Sequence, residues 1–178
     1  IYNPSAPLAG KANSPLNYFA SNVSAMQAYA NGSGGQAGKL VLALTSMGQN
    51  PRDFFGVDFV AILQAADDGA GSLDSNPFNQ SLAMLGLVAA GETVSADAIG
   101  VLTGSQGVEG SWDDGFGTAD NVDATAISIM ALIGAGEAVT STAVAQGAAF
   151  LQAAQTDNAA WGYAPSFGGE SANSTALA

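Results

Sequence analysis

The chain contains no cysteine and no histidine among its 178 residues. Without a thiol or an imidazole, no nucleophilic triad that depends on either group can be built. A zinc site would have to be made from carboxylates alone, which is unusual. Without cysteine there is also no disulfide pattern that would indicate a redox compartment.

Basic residues are almost as scarce, because Lys11, Lys39 and Arg52 face 15 acidic side chains and leave a net charge of −12. Such a surface repels nucleic acid and anionic membranes, so we expect neither as a partner. Only 10% of the residues are charged, so neutral polar side chains must cover the outside. That composition is typical of secreted and cell-surface bacterial proteins and predicts an extracellular or cell-surface location.

Long apolar runs are missing too. No run reaches the roughly 18 residues that a membrane helix needs, so we expect no membrane insertion within this chain. No secretory signal is visible, although an exported protein loses its signal on maturation. The length is that of one domain with a sizeable core.

The chain is organised as an internal repeat. The segment 123–137 has counterparts at 79–92 and 36–48, and residues 173–178 match its opening. The period of about 43–50 residues is typical of helical-pair repeats. We therefore predict an all-α fold of about three to four repeats over residues 15–178, preceded by an extended segment, residues 1–14. Because residues 175–178 begin another helix, we expect the domain to be truncated at its C-terminus.

Each repeat predicts an inner helix that is apolar on nearly every side, and therefore buried, followed by an amphipathic outer helix. Glycines at positions 48, 91 and 136 end the inner helices as left-handed caps. Asn79 and Asp123 are predicted to cap the beginning of two inner helices, as Ser95 and Thr140 do for outer ones. The predicted inner helices span residues 36–48, 79–91 and 123–136, and the outer helices span residues 15–30, 57–67, 95–105 and 140–155.

Two segments share the pattern of an apolar residue, a glutamine four positions later and a tryptophan. These are residues 102–112, with Gln106 and Trp112, and residues 151–161, with Gln155 and Trp161. They resemble the QW motif of squalene and hopene cyclases, and the chain from about residue 15 is similar to the prenyltransferase and squalene-oxidase repeat. The resemblance implies an α/α toroid, here a partial ring, with any ligand pocket at its centre. It also implies that these four side chains are structural and tie adjacent repeats together.

The same superfamily includes enzymes, and the chemistry of each can be compared with this sequence. Protein prenyltransferases and thioester domains depend on cysteine, which is absent. Residues 121–126 resemble the acid motif of hopene cyclases, and Asp123 falls on the carboxylate that protonates the isoprenoid there. Asn121 and Ala124 replace its two acidic neighbours, and a single carboxylate without them has no proton to give at neutral pH. The competing interpretation is that Asp123 caps a helix.

Acidic and aromatic residues in the loops that follow each tryptophan could face the centre of the ring. The candidate ligand-binding residues are Asp113, Asp114, Phe116, Asp120, Tyr163 and Phe167. The loop 109–123 carries five carboxylates and could hold calcium. Its spacing is not that of an EF-hand, and such loops are commonly solvated turns, so we expect no metal and no cofactor.

Two functions remain open. The first is a non-catalytic module that binds a small apolar or cobalamin-like molecule, or a protein partner, in its central depression. The second is an isoprenoid cyclase with Asp123 as proton donor. The aliphatic inner helices favour the first, because cyclases line their cavities with aromatic rings that stabilise carbocations.

Overall fold

The computed structural model describes residues 3–7 and 13–178 of the chain. Residues 1–2 and 8–12, which include Lys11 and much of the predicted N-terminal segment, lie outside the described residues. Over the described ranges the fold is all-α, as predicted: it contains nine helices and no strand, apart from two isolated β-bridges. The helices are α1 (Pro15–Ser21), α2 (Val23–Ala30), α3 (Gly34–Ser46), α4 (Phe59–Gln64), α5 (Pro77–Ala89), α6 (Ala96–Gly104), α7 (Val122–Gly134), α8 (Thr142–Ala154) and α9 (Ala172–Leu177).

Helices α3, α5, α7 and α9 form a row in chain order, in which each packs against the next. Four helices cover this row, with α2 and α4 on α3, α6 on α5, and α8 on α7, whereas α1 packs on α2. All seven predicted helices are present. The predicted helix at 15–30 is divided at Asn22 into α1 and α2, and the one at 57–67 is shortened to α4. No helix in the described residues is both long and apolar enough to cross a membrane.

The row is held together by unusually close contacts between its helices. A Cβ atom added to Gly86 of α5 would lie 2.6 Å from the Cα atom of Gly38 in α3. A Cβ atom on Gly38 would lie 2.3 Å from the carbonyl oxygen of Leu82. Between α5 and α7 the hydroxyl oxygens of Ser81 and Ser128, both fully buried, are 3.0 Å apart. Small side chains therefore set the spacing of the inner helices.

The glycines predicted to end the inner helices have the expected left-handed backbone. The φ angle is 71° at Gly48, 76° at Gly91 and 100° at Gly136. In each case the backbone N–H of the residue after the glycine donates a 2.9 Å hydrogen bond to the carbonyl oxygen five residues before it, as in a Schellman motif. The three inner helices thus end in the same way.

The predicted beginnings of the helices need correction. The N-caps of α5 and α7 are Asn76 and Asn121, whose side chains accept the N–H groups of the third residue that follows, at 2.9 and 2.7 Å. Asn79 and Asp123 therefore lie inside the first turn and are not caps. Both helices begin earlier than predicted because an asparagine with extended backbone already stands before each apolar run.

Among the outer helices, Ser95 caps α6 as predicted and accepts the N–H group of Ala98 at 3.1 Å. The prediction for Thr140 is wrong, because the N-cap residue of α8 is Ser141. The Ser141 side chain makes no capping hydrogen bond.

The prediction that inner helices are buried on every side is wrong for the second half of α7. Met130 is 42% exposed and Ile133 is 41% exposed. The helices that pack on α7 are α5, α8 and α9. These contacts leave the two side chains partly open to solvent.

Candidate binding site

A small cavity lies where the loops between outer and inner helices meet the N-terminal ends of α5 and α7. Its volume is about 110 Å³, and its lining residues are Phe78, Asp114, Phe116, Asn121, Asp123 and Tyr163. Four of these six are candidate residues from the sequence. The larger groove of about 670 Å³, between α2, α4 and residues 73–75, contains none of the candidates. We therefore take the small cavity as the candidate site.

Asp114 and Tyr163 form one wall of this cavity. Asp114 is only 5% exposed, and its Oδ1 atom accepts the backbone N–H groups of Phe116 at 2.7 Å and Thr118 at 3.1 Å. Its Oδ2 atom accepts the hydroxyl hydrogen of Tyr163. The pair joins two loops that are 49 residues apart in sequence.

The hydrogen bond between Asp114 and Tyr163 lowers the pKa of the carboxyl group and raises the pKa of the phenol. Burial alone would raise the pKa of Asp114, but the hydrogen bonds from Tyr163, Phe116 and Thr118 outweigh burial, and the pKa is lowered. The hydrogen bond to Asp114 raises the pKa of the Tyr163 hydroxyl, and burial adds to the rise. At neutral pH the wall therefore consists of a carboxylate and a neutral phenol.

The remaining loop candidates, Asp113, Asp120 and Phe167, lie outside the cavity. Asp120 accepts two hydrogen bonds from Ser166, one from the backbone N–H and one from the hydroxyl, both at 2.8 Å. Phe167 is 69% exposed, and its ring centre lies 6.0 Å from that of Tyr163. Asp113 accepts only the N–H group of Gly115 within its own turn. These three residues are not part of the lining.

Asp123 and Asn121 each contribute a buried polar atom that has no hydrogen-bond partner. Asp123 is 9% exposed; its Oδ2 atom accepts a 3.1 Å hydrogen bond from Asn173, whereas Oδ1 has none. Asn121 is fully buried; its Oδ1 atom caps α7, whereas Nδ2 has no partner. The Asn121 side chain lies near the Tyr163 hydroxyl and lowers its pKa, against the larger rise caused by Asp114. Its Nδ2 atom nevertheless makes no hydrogen bond to that hydroxyl. A buried polar group left in this way costs about 1–3 kcal/mol.

The five carboxylates of the loop 109–123 do not converge on one point. No group of three or more acidic side chains in the described part of the chain is arranged to hold a metal ion. Asp114 and Asp120 are instead occupied by N–H and hydroxyl donors from the protein.

The first tryptophan motif anchors the loop that carries the cavity wall. The Trp112 side chain is fully buried, and its Nε1 atom donates a 2.8 Å hydrogen bond to the carbonyl oxygen of Leu102. The backbone N–H of Trp112 donates to Thr125 of α7 at 3.0 Å. The Gln106 side chain donates to the carbonyl oxygen of Ala143, in the first turn of α8, at 2.9 Å. Gln106 and Trp112 thus join three helices.

The second tryptophan motif repeats only part of this arrangement. Trp161 Nε1 donates to the carbonyl oxygen of Leu151 at 2.7 Å, and the backbone N–H of Trp161 donates to Thr175 at 2.9 Å. The ring of Trp161 is half-buried. Gln155 is exposed, and its side chain makes no hydrogen bond within the described residues.

Sequence reasoning missed two features of the site. One is a threonine four residues after the N-cap of each helix that follows a tryptophan loop. Thr125 follows Asn121 and Thr175 follows Ser171, and each hydroxyl accepts the backbone N–H of the tryptophan. The other is a repeated loop, because residues 67–72 and 113–118 share the pattern Asp-Asp-Gly-x-Gly-Ser/Thr. In both loops the second aspartate accepts two backbone N–H groups from the residues that follow. Each feature was visible as a repeated spacing.

Comparison of the chain with models of protein families returned no match. Searches of the curated proteins and of the solved structures returned no match either. The resemblance to the prenyltransferase and squalene-oxidase repeat therefore rests on the residues of this chain alone.

Proposed function

We propose that the chain is a non-catalytic, extracellular binding module that takes a small molecule in the cavity at the N-terminal ends of α5 and α7. The observation that carries the proposal is this cavity itself, in which the aromatic residues Phe78, Phe116 and Tyr163 stand together on one lining. A concave, mostly apolar pocket with aromatic walls is the usual form of a small-molecule site. The acidic, base-poor composition supports the extracellular location.

We further propose that the helices form part of an α/α toroid. The row of inner helices, covered by outer helices, supports this arrangement, as does the repeated sequence. In such a ring the candidate cavity would belong to the central depression, because it lies at the ends of the inner helices.

The alternative is an isoprenoid cyclase, and one observation favours it: Asp123 lies on the lining of a cavity with aromatic walls. The size of the cavity argues against it. Pockets for drug-sized ligands are about 300–1,000 Å³, whereas this one is about 110 Å³. In addition, the acidic neighbours of the cyclase motif are replaced by Asn121 and Ala124.

Binding and turnover can be separated by experiment. The chain would be incubated with squalene and shorter polyprenols, and the products analysed by mass spectrometry. We expect no cyclised product from the wild type. Cyclised product that disappears in a well-folded Asp123→Asn variant would refute the non-catalytic proposal.

In parallel, small neutral probes such as benzene and 1-butanol would be titrated and followed by NMR. We expect saturable shifts of residues around the cavity that Phe116→Ala weakens. Phe116 is 90% exposed, so its removal should not change stability. The matched control is Tyr18→Ala, which removes another exposed ring, at 63% exposure, from a residue outside the cavity lining. Shifts that are not saturable, or that Tyr18→Ala weakens equally, would contradict binding at this site.

A further inference from the structure

We infer that the cavity takes a quaternary ammonium group, of the kind that choline carries. This inference rests on the proposed function and specifies the ligand of the same cavity. It follows from the aromatic walls of the cavity, its near lack of polar surface, the carboxylates around it and its size.

Three aromatic rings from three separate segments line the cavity. Phe78 belongs to the first turn of α5, Phe116 to the loop before α7 and Tyr163 to the loop before α9. The faces of such rings are negative and attract a cation, and proteins commonly bind quaternary ammonium groups in this way. The ring of Tyr163 is made more electron-rich because its hydroxyl donates to the carboxylate of Asp114. The rings therefore favour a cation over a neutral occupant of the same shape.

The near lack of polar surface determines which kind of cation fits. The unpartnered atoms of Asp123 and Asn121 are themselves buried and are out of reach of an occupant. A primary ammonium ion would lose its hydrogen bonds to water and find no acceptor in return, which is costly. A quaternary ammonium ion has no N–H group to satisfy, and its methyl groups pack against the rings. The cavity therefore suits the quaternary ion and disfavours the primary one.

The charge around the cavity has the sign that a cation requires. Asp114 and Asp123 belong to the lining, and no basic side chain of the described residues does. Their attraction for a cation acts through space and does not require an exposed oxygen atom. The N-terminal ends of α5 and α7 oppose it with only about half a positive charge each. The balance is negative, so a ligand with an anionic group beside its ammonium, such as a betaine or a phosphocholine headgroup, is disfavoured.

The volume suits the head group of such a ligand. Apolar cavities of about 150 Å³ hold a benzene molecule, and this cavity measures about 110 Å³. A trimethylammonium group is more compact than benzene. Phe116 is 90% exposed and marks the open side of the cavity, where the remaining substituent of the ligand would leave it. The cavity thus encloses the head group and leaves the rest of the ligand in solvent.

Choline and three analogues test these requirements in NMR titrations at neutral pH and constant ionic strength. 3,3-Dimethyl-1-butanol has the shape of choline without the charge, and it should bind about 5- to 30-fold more weakly. Ethanolamine keeps the charge but lacks the methyl groups, and it should bind about 10-fold more weakly or worse. Glycine betaine adds a carboxylate to the trimethylammonium group, and it should bind about 3- to 10-fold more weakly than choline.

Phe116→Leu tests the rings, because it keeps an apolar side chain and removes the aromatic face. We expect it to weaken choline about 2- to 5-fold and to leave 3,3-dimethyl-1-butanol nearly unchanged. The matched control is Tyr18→Leu, which removes an exposed ring from a residue outside the cavity lining.

Asp123→Asn tests the charge, because it keeps the shape of the side chain. We expect it to weaken choline about 5- to 30-fold and to leave 3,3-dimethyl-1-butanol nearly unchanged. The matched control is Asp97→Asn, because Asp97 occupies the first turn of α6 as Asp123 does in α7 but is exposed. Thermal unfolding shows whether each variant remains folded; if Asp123→Asn does not, wild type and Phe116→Leu still decide between choline and its neutral analogue.

The outcomes separate this inference from the proposed function. If 3,3-dimethyl-1-butanol binds at the cavity as tightly as choline, or if each control weakens choline as much as its matched variant, the cation is refuted while small-molecule binding stands. If ethanolamine binds as tightly as choline, the quaternary group is refuted. If glycine betaine binds as tightly, the preference against an attached anion is wrong. If none of these probes, nor benzene, produces saturable shifts at the cavity, the proposed function itself fails.

Discussion

Replacing Trp112 and Trp161 one at a time with alanine tests how the two copies of the motif differ. The ring of Trp112 is fully buried, and that of Trp161 is half-buried. Trp112 also packs tightly: a Cβ atom added to Gly147 of α8 would lie 2.9 Å from its Cζ3 atom. Little room exists for the surroundings to relax, so most of the vacated volume would persist as a cavity.

The magnitude follows from this burial. Truncating a buried tryptophan costs about 3–5 kcal/mol, and the cost rises with the volume of the residual cavity. The carbonyl oxygen of Leu102 would also lose its indole partner. We expect Trp112→Ala to lower the free energy of unfolding by about 4–5 kcal/mol. Trp161→Ala should lower it by about half as much, because only part of its surface is removed from water.

Urea denaturation followed by far-UV circular dichroism would measure both. With a slope of about 2 kcal/mol per molar urea, a loss of 4 kcal/mol lowers the midpoint by about 2 M. Trp112→Phe is the control, because it keeps an aromatic ring and removes mainly the indole hydrogen bond, and it should fall between wild type and Trp112→Ala. A larger loss for Trp161→Ala than for Trp112→Ala would show that the assignment of burial is wrong.

Three further predictions concern helix spacing, capping and pH. Gly86→Ala should destabilise the protein by about 1–3 kcal/mol, because the added Cβ atom overpacks the contact between α3 and α5. Gly100→Ala is the control: its Cβ atom meets nothing within 4 Å, so it should stabilise the protein by about 0.5–1 kcal/mol. Equal midpoints of the two variants in thermal unfolding would contradict the close contact of α3 and α5. Asn121→Ala should cost about 0.5–2 kcal/mol through loss of the cap, and Asn121→Asp, which keeps the capping oxygen, should cost less; a lower urea midpoint for Asn121→Asp than for Asn121→Ala would count against the cap. The folded-state pKa of Asp114 is lowered, so its contribution to stability is complete above its ordinary value of 3.8 and is lost as the pH falls through the folded-state pKa. Tyr163→Phe removes one of its hydrogen bonds, so thermal unfolding measured between neutral and acidic pH should show a smaller acid-side loss than in wild type, and identical pH profiles would contradict the link.

Several features of the chain were predictable from the sequence because they depend on neighbouring residues. An apolar run that ends at a glycine specifies a helix and its left-handed end, and the structure has both at Gly48, Gly91 and Gly136. The seven predicted helices and their alternation follow from the same local periodicity, whereas the division of the first at Asn22 into α1 and α2 does not. The beginnings of α5 and α7 are local as well, but two capping residues stand within three positions of each other there. The pattern alone does not choose between Asn121 and Asp123.

The candidate site depended on tertiary structure. Asp114 and Tyr163 meet because the loop before α7 and the loop before α9 lie side by side, and neither segment by itself specifies that contact. The same holds for Asp123: its sequence position marks it as a candidate, but its contact with Asn173, 50 residues later in the chain, exists only in the folded protein. Exposure of Met130 and Ile133 likewise depends on which helices pack against α7. Hydrophobic periodicity encodes which face of a helix is apolar, whereas the neighbour that covers that face is decided by long-range packing.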